Sequence, residues 1–257
     1  MKTMRKQGLR WVAAAFVACL VAAPAHALQV FVDNFANDVV YDADTVPGIW
    51  QIRKGSYGRT SFVRASEANG FLTIETNDRY GGGVSTYNSP DFDFFARPLK
   101  FTIDGLTLSG TGHPSYQGVR IGLTPNGSNP FQRVNQLELA FNGNRHFTLM
   151  AFRNAQLNYL VNLDYNLPVI PERIELVLDA TRYEVRFFWA GGGLFFQGEH
   201  GFTYDTWVVP GAAPTGETAL FVAGASVVPT ANTTTVQVDA IQVDEVIVNP
   251  SGNGLCQ

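Results

Sequence analysis

The sequence predicts an all-β fold, a sandwich or a barrel of short antiparallel strands. From Leu28 onward, apolar and polar residues alternate with a period of two in many segments, and no convincing window has the 3.6-residue period of a helix. Segments rich in turn-forming residues separate the strands, as at 81–83 and 191–193. The alternating apolar sets, each expected to be one buried strand face, are Leu99/Phe101/Ile103, Val119/Ile121/Leu123, Leu137/Leu139/Phe141, Ile174/Leu176/Leu178, Tyr183/Val185/Phe187/Trp189 and Val236/Val238/Ala240.

The first 27 residues have the three zones of a secretory signal peptide. A basic start precedes an apolar run at 11–23, and Ala25-His26-Ala27 is a small-x-small cleavage site. The apolar run is too short for a membrane span, which needs about 20 residues. The segment predicts cleavage near Ala27 and a mature protein that is secreted or periplasmic, with no membrane span. In an alternative interpretation, Cys19 is the lipidated residue of a lipoprotein.

Removal of residues 1–27 changes the charge of the chain. The full sequence carries a net charge of −4, and the remainder has 14 basic and 22 acidic residues, a net charge of −8. Such a charge disfavours nucleic acid as a partner. We expect residues 28–248 to form one domain and residues 249–257 a C-terminal tail. Cys256 is the single remaining cysteine, so no intrachain disulfide is predicted, and the oligomeric state stays open.

The apolar faces also predict two hairpin registers. A three-residue turn sets Leu139 opposite Phe147, and a four-residue turn sets Glu175 opposite Arg186. The alternation changes phase just after Ala240, which predicts a bulge or a bend in the last strand.

Three features of the chain resemble the concanavalin A-like lectin/glucanase superfamily. They are the opening Asp33-Asn34-Phe35, Trp50 shortly afterwards, and the closing strand at 243–246. The resemblance spans nearly the whole mature chain. It implies a jelly-roll β-sandwich whose concave sheet binds polysaccharide. Because its members include lectins, carbohydrate-binding modules, glycoside hydrolases and polysaccharide lyases, the fold leaves the function open.

Three residues are candidates for catalysis. Retaining and inverting glycosidases need two carboxylates, and the Glu-x-Asp-x-x-Glu run of the superfamily's glucanases is absent here. Glu138 alternates with apolar neighbours and is expected on the non-core face of its strand, where its alternative role is only to solvate that face. Polysaccharide lyases neutralise a uronate with Arg, Asn or Gln and abstract a proton with His or Tyr. The suitable residue types here are Arg64, Arg120, Gln136, His146 and Tyr159. With Glu138, Arg120 and His146 are the catalytic candidates.

Aromatic side chains are the candidates for sugar binding, because tyrosine and tryptophan combine an apolar ring with a polar group. We expect Trp50, Tyr87, Tyr116 and Tyr159 to contact the ligand, with Arg64 as a polar partner. A structural role is the alternative for each. Further aromatic residues in polar stretches are Tyr57, Tyr80, Tyr165 and Trp207.

Asp33 and Asp244 are candidate ligands of one structural calcium ion. The first and last strands of such sandwiches meet, and Ca²⁺ prefers carboxylate and carbonyl oxygens. The alternative is that both are charges that protect strand edges from aggregation.

These features favour a secreted protein that recognises a polysaccharide or glycan. The first alternative is an extracellular glycoside hydrolase or polysaccharide lyase with an unrecognised site, and the second is a structural or surface-interaction protein.

Overall fold

The protein is all-β. The computed structural model describes residues 28–36, 50–55, 61–86, 92–94, 96–125, 130–133, 136–153, 155–163, 167–179, 181–201, 218–226 and 232–246. The strands are β1 (Leu28–Asp33), β2 (Trp50–Lys54), β3 (Val63–Ala68), β4 (Phe71–Thr76), β5 (Gly82–Thr86), β6 (Leu99–Asp104), β7 (Thr107–Gly110), β8 (Gln117–Pro125), β9 (Gln136–Asn142), β10 (Phe147–Arg153), β11 (Gln156–Leu163), β12 (Arg173–Leu178), β13 (Arg182–Phe188), β14 (Leu194–Gly201), β15 (Thr218–Ser226), β16 (Thr234–Val238) and β17 (Ala240–Glu245). Two 3₁₀ turns are η1 (Pro114–Tyr116) and η2 (Pro130–Gln132).

The strands form three sheets in which neighbours are antiparallel. The six-stranded sheet has the order β1-β17-β6-β12-β13-β14, and the seven-stranded sheet has the order β11-β10-β9-β8-β15-β5-β2. A smaller four-stranded sheet has the order β3-β4-β16-β7. The expected two-sheet sandwich is therefore present, with an additional small sheet that the sequence did not predict.

Aromatic contacts show that the two large sheets pack face to face. The ring centroid of Phe187, on the six-stranded sheet, lies 4.8 Å from that of Phe147 and 5.3 Å from that of Phe141, both on the seven-stranded sheet. All the residues of the predicted alternating sets are buried, except Trp189 and Ala240. The period-two pattern thus identified the strand faces that lie between the sheets.

The two predicted hairpin registers have different outcomes. The β12–β13 register is confirmed, because Glu175 lies opposite Arg186. The β9–β10 register is wrong by two residues, since Leu139 lies opposite Leu149 and not Phe147. The loop is longer than predicted, and Arg145 adopts a left-handed conformation with φ of 68°. A shift of two residues leaves every side chain on its predicted face.

Trp189 was expected in the core and is instead 39% exposed. A register shift occurs between Phe187 and Phe188, and β13 ends at Phe188. The alternation therefore stops before Trp189, whose ring packs beside Phe195 with a centroid distance of 4.7 Å.

The chain changes sheet at Asp239, close to the predicted phase shift. Strand β16 belongs to the four-stranded sheet and β17 to the six-stranded sheet. The predicted signal peptide at 1–27, the tail at 249–257, Cys19 and Cys256 lie outside the described residues. In the part of the chain that is described, no helix has the length and apolarity needed to cross a membrane.

The carboxylate of Asp179 stabilises the β12–β13 turn. One oxygen accepts hydrogen bonds from the backbone N–H groups of Thr181 and Arg182 at 2.7 and 2.9 Å. Burial raises the pKa of Asp179, but the hydrogen bonds from Thr181 and Arg182 outweigh it and hold the pKa below its ordinary value of 3.8. This stabilisation is complete above the unfolded-state pKa of about 3.9 and is lost as the pH falls through the lower folded-state pKa.

We predict that Asp179→Ala lowers the free energy of unfolding by about 1 kcal/mol at pH 7, because the turn loses its acceptor. The loss should shrink as the pH falls below about 3.9, as measured by urea unfolding across pH 3 to 7. Asp239→Asn is the control, because it should change the free energy of unfolding in the opposite direction. Burial and the nearby Asp104 raise the pKa of Asp239, so removal of its charge should stabilise the protein at pH 7. A loss for Asp179→Ala that is independent of pH would contradict this account.

Candidate functional site

A charged cluster lies on the outer face of the seven-stranded sheet, the face turned away from the core. Arg120 on β8 and Glu138 on β9 alternate with the buried apolar residues of their strands, so both side chains project from this face. In the register of the sheet, Glu138 lies opposite Gly122 on one side and Met150 on the other. The cluster is therefore central in the sheet.

Arg120 and Glu138 form a two-point ion pair. Arg120 Nε donates to Glu138 Oε1 at 2.6 Å, and Arg120 Nη2 donates to Oε2 at 2.5 Å. The side chain of Arg120 is 5% exposed and that of Glu138 is fully buried. A buried charge is tolerated only when a partner and further hydrogen bonds compensate the lost hydration, and this geometry supplies both.

Two more side chains complete the hydrogen bonding of Glu138. Arg133 Nη2 donates to Oε1 at 3.0 Å, and Gln136 Nε2 donates to Oε2. The side chain of Arg133 is 41% exposed, whereas Gln136 is buried. Glu138 thus accepts four hydrogen bonds from three side chains.

A 3₁₀ turn covers this cluster. Phe131 of η2 lies over the guanidinium of Arg120 at 5.6 Å and contacts Phe221 at a centroid distance of 6.4 Å. Gly81 is required below it, because its φ is 102° and a Cβ there would lie 2.8 Å from Arg120 Nη1. The centre of the outer face is therefore filled by side chains of the protein itself.

One buried acceptor of the cluster accepts no hydrogen bond. Gln136 is 1% exposed, and its Oε1 accepts no hydrogen bond. The amide orientation follows from the donation to Glu138. A buried unsatisfied acceptor costs about 1–3 kcal/mol, so this atom is suited to a hydroxyl donor or an ordered water.

Two exposed tyrosines lie at one end of the same sheet, which we call the tyrosine end. Tyr80 is 58% exposed and precedes β5, and Tyr116 is 38% exposed and directly precedes β8. Because only β15 separates β5 from β8, their strand axes are about 10 Å apart. The Tyr80 carbonyl accepts from Arg120 Nη1, which connects this end to the charged cluster.

A charged side chain flanks Tyr80 and an imidazole flanks Tyr116. The guanidinium of Arg79 lies 6.0 Å from the Tyr80 ring centroid, and the ring of His113 lies 5.7 Å from that of Tyr116. The tyrosine end therefore offers exposed rings beside polar groups.

Of the predicted catalytic residues, the structure brings Arg120 and Glu138 together and places His146 elsewhere. His146 is exposed in the β9–β10 loop, four residues along the strand from Met150, the partner of Glu138. At about 3.3 Å per residue, this separation is about 13 Å. His146 therefore does not belong to the cluster around Glu138.

Trp50, a predicted sugar-binding residue, lies in the core. It is 0% exposed, and its indole N–H donates to Asp33 Oδ2 at 2.7 Å. The prediction is corrected because a fully buried ring has no face for a sugar.

Asp33 and Asp244 do not form a shared calcium site. Asp33 lies opposite the core residue Ile241, and Asp244 is three residues farther along β17, about 10 Å away. Asp244 projects from the opposite face of the sheet, where its Oδ1 accepts from Gln242 Nε2 at 2.7 Å. Within the described ranges, no three acidic, histidine or cysteine residues group as metal ligands. A calcium ion bound by other residues stays a prediction.

The other predicted ligand-binding residues are dispersed or not described. Arg64 is exposed on β3 of the four-stranded sheet, 5.2 Å from the ring centroid of Phe62. Tyr159 pairs with Met150 in the backbone ladder of the seven-stranded sheet. Tyr87, Tyr57, Tyr165 and Trp207 lie outside the described residues.

The sequence did not identify Arg133 or Phe131 as site residues. It identified Gln136 as a residue type suited to a polysaccharide lyase, and its position two residues before Glu138 places both side chains on one face. Phe131 lies in η2 and Arg133 directly follows it. Hydrophobic periodicity does not predict that this segment folds over the sheet.

We predict that Glu138→Ala lowers the free energy of unfolding by about 3–5 kcal/mol, because it leaves Arg120 buried without a counter-charge. Chemical denaturation measures the loss. Glu245→Ala is the control, since its ion pair with Arg97 at 2.9 Å is about one-third exposed and should contribute less than about 1 kcal/mol. Equal losses for the two variants would show that the buried cluster has no special role in stability.

Comparisons with known proteins give matches only at the level of structure. No protein-family model and no curated protein matches the sequence. One matching structure comes from a study of endo-acting O-glycanases with which members of the human gut microbiota initiate mucin breakdown. Its TM-score is 0.53 at 13% identity, and the match covers 85% of this chain and 100% of that one.

Two further structures match at similar levels. The GH43 protein BlXynB from Bacillus licheniformis has a TM-score of 0.52 at 14% identity, over 83% of this chain and 39% of that one. The CBM2 module of an evolved Dit from Lactobacillus casei BL23 phage J-1 has a TM-score of 0.50 at 11% identity, over 87% and 97%. At these identities the likeness concerns the fold alone. The chain has the jelly-roll β-sandwich fold of concanavalin A-like proteins, as its sequence predicted.

Proposed function

We propose that this chain is an exported carbohydrate-recognition protein that binds a glycan at the tyrosine end of the seven-stranded sheet. The observation that carries the proposal is the pair of exposed rings, Tyr80 and Tyr116, at the ends of two strands that only β15 separates. The export part rests on the signal-like sequence at 1–27.

The physical basis is the match between an aromatic ring and a sugar. A tyrosine offers a flat apolar face and a hydroxyl, so it can cover the C–H face of a pyranose and still bond a hydroxyl. Arg79 and His113 add hydrogen-bond donors beside the two rings. Backbone hydrogen bonds position both tyrosines, since the Tyr80 carbonyl accepts from Arg120 and the Tyr116 N–H donates to the His113 carbonyl at 2.9 Å. Groups that are positioned before binding lose less entropy when a ligand binds.

The geometry of Glu138 favours recognition over hydrolysis. A general acid or nucleophile needs an oxygen that reaches the substrate, and both oxygens of Glu138 are engaged by Arg120, Arg133 and Gln136 in a fully buried position. The structurally similar O-glycanase acts on mucin, and we extend only the carbohydrate class, not the reaction, to this chain.

We predict selective binding of the purified, exported protein to a subset of glycans on a broad glycan and polysaccharide array. Tyr80→Ala and Tyr116→Ala should each weaken this binding by about 5-fold or more, because each stacked aromatic contact contributes about 1 kcal/mol or more. Isothermal titration calorimetry with the best glycan measures the change. Repeating the array with EDTA tests the predicted calcium ion at the same time.

Phe71→Ala is the matched control. Phe71 is 37% exposed, close to the 38% of Tyr116, but it lies at the start of β4 in the four-stranded sheet. Binding should be unchanged in this variant. If no glycan binds, the proposal is overturned in favour of a structural or surface-interaction role. If all three variants weaken binding equally, the tyrosine end is not the site.

A further inference from the structure

We infer that the hairpin between β13 and β14 docks on the surface of a lipid bilayer. The part that docks is residues 187–196, which we call the hairpin tip. It belongs to the six-stranded sheet, whereas the proposed glycan site belongs to the seven-stranded sheet. The inference therefore adds a second binding surface and does not depend on the proposed function.

The hairpin tip has no charged side chain. The indole N–H of Trp189 is the only polar side-chain group in residues 187–196. Gly191 and Gly192 have φ of 86° and 92°, so the conformation of the turn explains the glycines. It does not explain the apolar residues on both sides of them, because turns at the surface normally carry polar residues.

Large apolar side chains are exposed on both arms of the turn. Trp189, before the glycines, is 39% exposed, and Leu194, after them, is 49% exposed. A Cβ added to Gly191 or Gly192 would meet no atom of the described residues within 4 Å, so the turn projects from this part of the fold. Single exposed apolar residues are ordinary, but an apolar patch on a projecting hairpin is typical of contact with a protein or a membrane.

Ring contacts connect the exposed indole to the core. The ring centroid of Trp189 lies 4.7 Å from that of Phe195, and the ring of Phe195 lies 6.1 Å from that of the buried Phe187. The indole is therefore held in position before anything binds, which limits the entropy lost on docking.

The hydrogen bonding of the turn favours a lipid surface over a glycan. The Trp189 N–H donates to the Gly193 carbonyl at 2.8 Å, and the Gly192 N–H donates to the Trp189 carbonyl at 3.0 Å. Hydrogen bonds within the protein lower the cost of moving peptide groups toward the apolar part of a bilayer. A glycan needs several polar side chains to bond its hydroxyl groups, and the hairpin tip has one.

Apolar contact, not charge, would hold the hairpin tip on the lipid. Arg173 lies 5.6 Å from the ring centroid of Phe188, but it already donates to Glu175 at 2.9 Å and lies 3.6 Å from Asp104. The whole sequence has a net charge of −4, which gives the chain no overall attraction to anionic lipids. Tryptophan is enriched where apolar lipid meets the polar headgroups, because its ring is apolar and its N–H is polar. We therefore expect shallow, reversible binding to uncharged lipid, since one small apolar anchor gives marginal affinity.

The test is co-sedimentation of the purified protein with phosphatidylcholine vesicles over a range of lipid concentrations. The bound fraction should rise with lipid and should not fall in 0.5 M NaCl, because screening does not weaken apolar contact. Leu194→Asp and Trp189→Ala should each raise the lipid concentration for half-maximal binding by about 5-fold or more, since the exposed apolar area of each side chain is lost from the contact.

Each variant has a matched control elsewhere in the fold. Val32 is 49% exposed, as Leu194 is, and lies on β1 at the other edge of the same sheet, so Val32→Asp controls for Leu194→Asp. Phe71 is 37% exposed, close to the 39% of Trp189, so Phe71→Ala controls for Trp189→Ala. Both controls should bind vesicles as the unmodified protein does. Thermal unfolding of all four variants separates a loss of fold from a loss of contact.

Four outcomes would overturn the inference. The first is that the unmodified protein does not sediment with phosphatidylcholine, and the second is that it binds only anionic vesicles and is released by salt. The third is an equal loss of binding in the controls. The fourth is a dimer, seen by sedimentation velocity without lipid, that Leu194→Asp converts to a monomer, because the tip would then contact a second copy of the chain. Loss of vesicle binding in the two tip variants alone, with glycan binding unchanged, is the result that supports the inference.

Discussion

The buried ion pair of Arg120 and Glu138 is the interaction on which the candidate site depends. Glu138 has lost its hydration, so it requires the two-point contact with Arg120. The same guanidinium donates to the Tyr80 carbonyl and lies under Phe131. One arginine thus connects two central strands, the segment that precedes β5 and the η2 turn, and it holds the backbone of Tyr80 at this place on the sheet.

The sequence predicted which side chains face the core better than which residues face each other. Period-two alternation depends only on the pleat, and it placed the core sets correctly. The β12–β13 register was also correct, and there Asp179 closes the turn through its own side chain. Asn142 closes the β9–β10 loop in a similar way, because its Oδ1 accepts from the backbone N–H groups of Asn144 and His146. That loop is nevertheless two residues longer in register than predicted, since a two-residue shift keeps Leu139 on the core face, opposite Leu149, and hydrophobicity does not oppose it.

The sequence predicted individual residues of the candidate site, but it did not predict how they are arranged in space. Alternation placed Glu138 on an outer face, yet its contact with Arg120 depends on the pairing of β8 with β9, which no local pattern encodes. For Trp50 the predicted location itself was wrong. A tryptophan in a polar stretch suggested a surface ring, whereas a long-range hydrogen bond to Asp33 accommodates its N–H in the core.

The two outer faces of the sandwich compensate their charges differently. On the six-stranded sheet, carboxylates pair with partly exposed arginines, as Glu175 does with Arg173 at 2.9 Å. On the seven-stranded sheet, the fully buried Glu138 accepts from both Arg120 and Arg133, so the centre of that face is held together by charges that are compensated inside the protein. The exposed tyrosines lie at one end of this second sheet, beside the cluster, so the surface available for ring stacking adjoins a part of the fold whose geometry is fixed by its buried charges.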